Sequence, residues 1–263
     1  MEKVTSADGA TIAIDRSGRG PALILVVGAF GDRSSTKSLA AGLAPNFSVY
    51  EYDRCGRGDS DDRASYAIKR EVDDLAAVVD AAGGSAFVFG HSSGGALALE
   101  AAARHVPIHR LVVYEPPYTA GPTADFARQL ADLVAAGHRA DATERFLALM
   151  GTPPEALNQM KTGPYWAHLE ALAHTLPYDI TLCNSGVAPR DRLAKITAPT
   201  LALAGGASPA WAREVARVIA TTIPNGQLRV LEGQGHGATD EALIPVLSEF
   251  FARPASVKGE QVR

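Results

Sequence analysis

Short apolar runs alternate with longer amphipathic stretches along most of this chain, a rhythm that predicts a mostly parallel sheet flanked by helices. Residues 11–15 (TIAID) alternate and read as an early strand, paired antiparallel with residues 3–5. Residues 22–27 are apolar throughout, as a strand covered on both faces must be. A helix over 36–44 leads to a strand over 47–52. Ile68, Val72, Leu75, Ala76 and Val79 then recur at the spacing that lays one face of a helix on a sheet. Strands follow over 86–89 and 108–114, with an alanine- and leucine-rich helix over 95–104 between them. The last strands are expected over 200–204 and 228–231. A helix over 210–221 joins them, and an amphipathic helix carrying Leu243, Val246, Leu247 and Phe250 closes the fold. Residues 253–263 are polar and aperiodic and read as a frayed tail.

One region breaks the rhythm. Helical patterns over 124–136, 142–150 and 165–176 follow one another with no strand between them. Pro116, Pro117, Pro122, Pro153, Pro154, Pro164, Pro177 and Pro189 punctuate them, so they read as short helices joined by turns.

With 263 residues, 46% hydrophobic and 21% charged, the chain can bury one large core, and no linker divides it. A net charge of -4 and a pI near 6.0 leave no basic footprint for nucleic acid. The longest apolar run, 22–30, is too short to span a bilayer, and residues 1–9 lack the apolar core of a secretory signal. Cys55 and Cys183 have no metal-site spacing and no oxidising context. The expectation is a cytoplasmic, reduced protein, a monomer or homodimer, acting on a small molecule without a nucleic-acid or membrane partner.

The stretch 86–104, AFVFGHSSGGALALEAAAR, carries the candidate chemistry. A strand, then Gly90-His91-Ser92-Ser93-Gly94, then a helix is the setting in which G-x-S-x-G makes a nucleophile elbow. The glycines let two segments pass closely while the serine is held exposed in a strained turn. Outside that setting Ser92 would be an ordinary helix N-cap. Within it, Ser92 is the candidate nucleophile. These residues resemble the α/β-hydrolase superfamily, and the resemblance extends over nearly the whole chain. It implies an α/β-hydrolase fold with a core over 1–117 and 190–252 and a helical cap over 118–189. It also places Asp53, Gly56, Gly58 and Ser60 in the family's D-x-R-G-x-G-x-S segment, a structural loop near the elbow.

A serine hydroxyl is a poor nucleophile until a base takes its proton, and a carboxylate must fix the tautomer of that base. Of seven histidines, His236 lies in EGQGHG, after the last strand and before the last helix. There the superfamily carries its base. His91 reads as structural or pocket-lining. The other histidines read as solvated or packed, with His168 and His174 in the cap within reach of a substrate. No histidine–carboxylate cluster has ligand spacing and no dinucleotide or P-loop fingerprint occurs, so neither a metal nor a cofactor is expected.

In most of the superfamily the acid is an aspartate in a G-x-x-D loop after the strand equivalent to 200–204. Here that loop reads Gly205-Gly206-Ala207-Ser208 and has no carboxylate. Glu115, at the end of the strand after the elbow, is the substitute, on the sheet edge where ligands bind. In this the chain is similar to the zearalenone lactonases, which pair a serine nucleophile with an acid at this second position. An arrangement around Ser208 and, more remotely, Asp240 are the alternatives.

An oxyanion hole needs two preorganised N–H donors. The resemblance places one on Ser93 and the other on Ala29, with Phe30 as an alternative. Phe30 and the cap aromatics Tyr118, Tyr165, Trp166 and Tyr178 either line an apolar pocket or pack cap against core. The implied activity is that of a cofactor-free serine hydrolase cleaving a carboxylic ester or lactone of a small, partly apolar molecule through an acyl-enzyme. Two other readings stand beside it: carbon–carbon cleavage, rearrangement or cofactor-free oxygenation by the same Ser-His pair, and a ligand-binding module with little turnover. Serine in place of aspartate at the elbow disfavours epoxide or halide displacement.

Overall fold

A computed structural model describes residues 1–118, 124–183 and 186–252. The tail expected over 253–263 lies outside the described residues, as do 119–123 and 184–185 of the expected cap. Eight strands make one sheet: β1 (Glu2–Thr5), β2 (Thr11–Gly18), β3 (Ala22–Val26), β4 (Ser48–Tyr52), β5 (Ala86–His91), β6 (Ile108–Tyr114), β7 (Thr200–Gly205) and β8 (Gly226–Leu231). Their order is β1-β2-β4-β3-β5-β6-β7-β8. The first two pairings, β1 with β2 and β2 with β4, are antiparallel, and Lys3 faces Ala13 in the first. The remaining pairings are parallel.

The helices are α1 (Lys37–Leu43), α2 (Ile68–Ala81), α3 (Ser93–Ala103), α4 (Ala124–Ala135), α5 (Arg139–Leu149), α6 (Pro154–Thr162), α7 (Trp166–Ala171), α8 (Leu176–Leu182), α9 (Arg190–Leu193), α10 (Ala210–Thr222) and α11 (Asp240–Ala252). The two-residue period of a strand sorts the core into two layers. In β3, Ile24 and Val26 join the layer under α2, α3 and α10. Leu23 and Leu25 join the layer under α1 and α11. Leu111 and Val113 of β6 divide from Val112 and Tyr114 in the same way. Apolar runs without polar interruption are therefore what these strands require. Every residue of α3 is buried, which its small side chains allow.

From α4 to α8 the chain leaves the sheet and builds a satellite core of Leu130, Ala142, Phe146, Ala173, Leu176 and Ile180, against which Ala29 and Phe30 pack. Two expectations need correction here. No helix is expected over 154–162, yet Pro154 opens α6, where its missing N–H costs no hydrogen bond. The single helix expected over 165–176 is α7 and a 3-10 turn at Ala173–Thr175, with α8 restarting at Leu176 and carrying Pro177 in its first turn. No helix among the described residues is long and apolar enough to cross a membrane.

Because β3, β5, β6, β7 and β8 run parallel, the loops after all of them open on one edge of the sheet. Those loops carry Gly28–Gly31, Ser92, Glu115, Ser208 and His236. The site is thus a consequence of strand direction.

Candidate active site

Ser92 sits between β5 and α3 with φ 54 and ψ -127, a conformation that costs an L-residue energy and persists only under outside constraint. The constraint is local packing. Its N–H donates to the carbonyl of Tyr114 at 2.9 Å. A Cβ on Gly94 would lie 2.3 Å from the Val26 carbonyl oxygen and 2.4 Å from that of Val27, and one on Gly28 would lie 2.8 Å from the Ser92 Cβ. Only glycine lets β3 and the start of α3 close on the turn.

His236 Nδ1 lies 2.7 Å from Glu115 Oε2 and, because a carboxylate only accepts, donates to it. That leaves Nε2 as the basic nitrogen. The other oxygen of Glu115 accepts from the Gly205 N–H at 2.7 Å. Glu115 is fully buried, and its own φ is 48. Burial pushes its carboxyl pKa up, but hydrogen bonding from His236, the influence of the Ser208 hydroxyl and the Gly205 N–H outweigh burial and hold it below the usual value. As placed, the buried Ser208 hydroxyl is within range to favour the carboxylate but makes no geometrically sound hydrogen bond. Turning that hydroxyl would give Glu115 a third donor. Asp240 opens α11 and is not among the residues that line the cavity shared by Ser92 and His236.

The loop that carries His236 is pinned on both sides. Tyr114 Oη donates to the Gly235 carbonyl, and His91 Nε2 donates to the carbonyl of His236 at 2.8 Å. Ser92 and His236 line one cavity of about 510 Å³. No hydrogen bond joins their side chains in this structure. Proton transfer needs the two to close to contact distance, a step that substrate binding often completes. The N–H groups of Ala29, Phe30 and Ser93 meet no acceptor among the described residues. Ala29 and Ser93 border the cavity, so these donors are unspent beside Ser92.

Of the five aromatics considered in sequence, Phe30 lines this cavity, edge-on to Phe146 at 5.4 Å. Tyr118 is buried in the main core. Trp166 donates its indole N–H to Glu170. Tyr178 stacks on Tyr66 at 4.4 Å and donates to Asp62 at 3.0 Å. Tyr165 borders a smaller cavity of about 240 Å³ behind Gly28 and Phe30. The wall of the large cavity is instead built by the end of α5 (Phe146, Leu147, Leu149), by Met150, by Ile180 of α8, and by Trp211 of α10. His168 and His174 reach backbone carbonyls, Phe30 at 3.3 Å and Gly56 at 2.8 Å, and so tie cap to core rather than face the cavity. Cys55 and Cys183 are free thiols. Cys183 borders the cavity with its pKa pushed up by burial, which keeps it a neutral thiol.

Sequence reading treats YDRCGRGDS as a structural loop and misses its partner. Arg54 and Arg57 are buried under the elbow, and both bind Asp179 of α8. Arg54 donates to Asp179 at 2.9 Å, to the Val27 carbonyl at 3.1 Å and, through Nε, to Glu71 at 2.6 Å. Arg57 grips Asp179 through both carboxylate oxygens, at 2.8 and 2.9 Å, and also donates to the carbonyls of Gly28 and Gly31. Ser93 donates its hydroxyl to Asp179 at 2.7 Å. Burial raises the Asp179 pKa, but the Arg57 and Arg54 charges and the Ser93 hydroxyl outweigh it and hold the group ionised. One carboxylate of α8 is therefore tied, through Arg54 and Arg57, to the backbone at Val27, Gly28 and Gly31 and, through the Ser93 hydroxyl, to the start of α3.

A sheet of this order, a serine in a strained strand-to-helix turn and a histidine in the loop after the last strand define an α/β hydrolase. The sequence matches the alpha/beta hydrolase family over residues 23–245, and the chain belongs to that family. It is similar to an alpha/beta hydrolase from Sphaerobacter thermophilus DSM 20745 at 49% identity and a TM-score of 0.89, covering 95% of this chain and 100% of that one. A thermophilic esterase from Thermogutta terrifontis shares the fold at 22% identity and a TM-score of 0.74, over 95% of this chain and 97% of its own. The uncharacterized hydrolase YraK of Bacillus subtilis (strain 168) is 33% identical over 116 residues, which is 41% of this chain and 42% of that protein.

Proposed function

We propose that the protein is a cofactor-free serine hydrolase that cleaves a carboxylic ester or lactone through an acyl-enzyme. The observation that carries this reading is the bond from His236 Nδ1 to the buried Glu115, beside a serine held at the elbow. In the proposed reaction Ser92 Oγ attacks the carbonyl carbon and gives its proton to His236 Nε2. Glu115 stabilises the imidazolium, and the N–H groups of Ala29 and Ser93 receive the charge on the former carbonyl oxygen. The C–O bond then breaks, and the departing oxygen takes the proton from His236. Water attacks the acyl carbon and gives a proton to His236 Nε2; the bond to Ser92 Oγ then breaks, Oγ takes that proton back from His236, and the acid is released.

Steady-state hydrolysis of p-nitrophenyl esters and simple lactones tests this. Glu115→Gln keeps the shape but favours the wrong imidazole tautomer, and should lower kcat by about 10³-fold or more. Ser208→Ala removes at most one neutral donor and should cost less than about tenfold. The opposite ranking would move the acid away from Glu115.

A further inference from the structure

The fixed charges around the large cavity bear on which esters it can take, and this inference rests on the serine-hydrolase reading of the same site. Asp179 and Glu115 line the cavity, and among the described residues no lysine or arginine does. Burial, with the neighbouring His236 ring, pushes the His91 pKa down to about 4, so His91 is neutral at physiological pH.

Neither carboxylate is free to attract a positive group. Asp179 is matched by Arg57 and Arg54, and Glu115 by the Gly205 N–H and His236. Arg54 Nη2 and Arg57 Nε are buried without an acceptor, but neither arginine reaches the cavity wall. The apolar part of that wall includes Phe30, Phe146, Leu147, Met150, Ile180 and Trp211. A substrate carboxylate seated there would lose its water and meet no opposite charge. A substrate ammonium would lose its water for carboxylates whose oxygens are already engaged by Arg54, Arg57, the Gly205 N–H and His236.

We propose that the substrate is uncharged at neutral pH over the whole part that enters this cavity, and that the wall rejects carboxylate-bearing homologues of a neutral ester. A volume of about 510 Å³ accommodates an apolar body of drug-like size.

Two p-nitrophenyl esters of equal acyl length make the comparison: the hexanoate, and the monoester of adipic acid, which puts a carboxylate where the hexanoate ends in methyl. After correction for their alkaline hydrolysis rates, kcat/KM should favour the hexanoate by about 100-fold or more. Met150 is 46% exposed at the cavity rim, so Met150→Arg supplies a solvated cation and should narrow that ratio by about tenfold. Equal turnover of the two esters by the wild type would overturn the proposal, as would a ratio that Met150→Arg leaves unchanged. Calorimetry on Ser92→Ala with ethyl hexanoate and monoethyl adipate reads the same preference without chemistry. If neither p-nitrophenyl ester is cleaved, the hydrolase reading fails, and the two affinities alone decide the substrate class. Tighter binding of ethyl hexanoate upholds it, and equal affinities overturn it.

Discussion

His91 shares a wall of the cavity with His236, the two rings 4.9 Å apart. Its Nε2 donates to the His236 carbonyl, so it fixes the loop that carries His236. Burial lowers its pKa from 6.5 to about 4, and the unfolded chain therefore binds a proton there that the folded chain refuses. Stability should fall as pH drops from 6.5 toward 4, and that loss levels off below the folded value. Glu115 behaves differently: its folded pKa lies below 4.5, so its contribution is present above 4.5 and is lost only as pH falls lower. Between pH 6.5 and 4.5 Glu115 does not contribute to the change, and urea midpoints compared with a His91 variant assign the decline. His91→Gln keeps an N–H donor but cannot titrate, and its midpoint should decline less over that window than the wild type's. Parallel declines would show that His91 is not held neutral.

At the same scale, Ser92, His236 and Glu115 are legible in sequence because each stands at a punctuation mark: a glycine-flanked turn, a glycine loop and a Pro-Pro break. Asp179 is not. It sits in LPYDITL, where nothing distinguishes a surface carboxylate from one buried by arginines more than a hundred residues away.

Among the elements, the strand–turn–helix unit from β5 to α3 does the positioning, and glycine at 94 is what it depends on. A Cβ there would press on two carbonyl oxygens of the end of β3, which cannot move without shifting the loop at Gly28. Gly94→Ala should cost about 3 kcal/mol, read as a fall in the denaturation midpoint, and should reduce acylation of Ser92 in whatever protein folds. A variant as stable and as reactive as the wild type would mean that the close approach is not a constraint. The sheet and the core helices follow from apolar period and are readable within a residue or two, save β2, which runs three residues past the expected end at Asp15. In the cap the period shows that helices exist but not which face meets the cavity. The aromatics of 165–178 stand out in sequence, yet they pack elsewhere, and the plainer end of α5 forms the wall.

Across the whole molecule, the segment from α4 to α8 is joined to the sheet by charge as well as by the apolar cluster of Leu130, Phe146, Leu176 and Ile180, against which Ala29 and Phe30 pack. Arg54 and Arg57 on one side and Glu71 and Asp179 on the other balance two charges against two in a dry interior. Removing one member strands a buried cation, which costs more than the pair contributes. Asp179→Ala should therefore destabilise by about 3 kcal/mol or more in thermal or urea unfolding. A change of less than about 1 kcal/mol would show that water or rearrangement relieves the arginines.

The central claim is that the fold activates Ser92 through His236 and Glu115. Its most direct test is the intact mass of the protein after exposure to a small fluorophosphonate, for the wild type, Ser92→Ala and Glu115→Gln. One adduct on the wild type, none on Ser92→Ala and a slowed rate on Glu115→Gln are the expected results. A folded wild type that takes no adduct, or takes it at the same rate without the Glu115 carboxylate, would contradict the account.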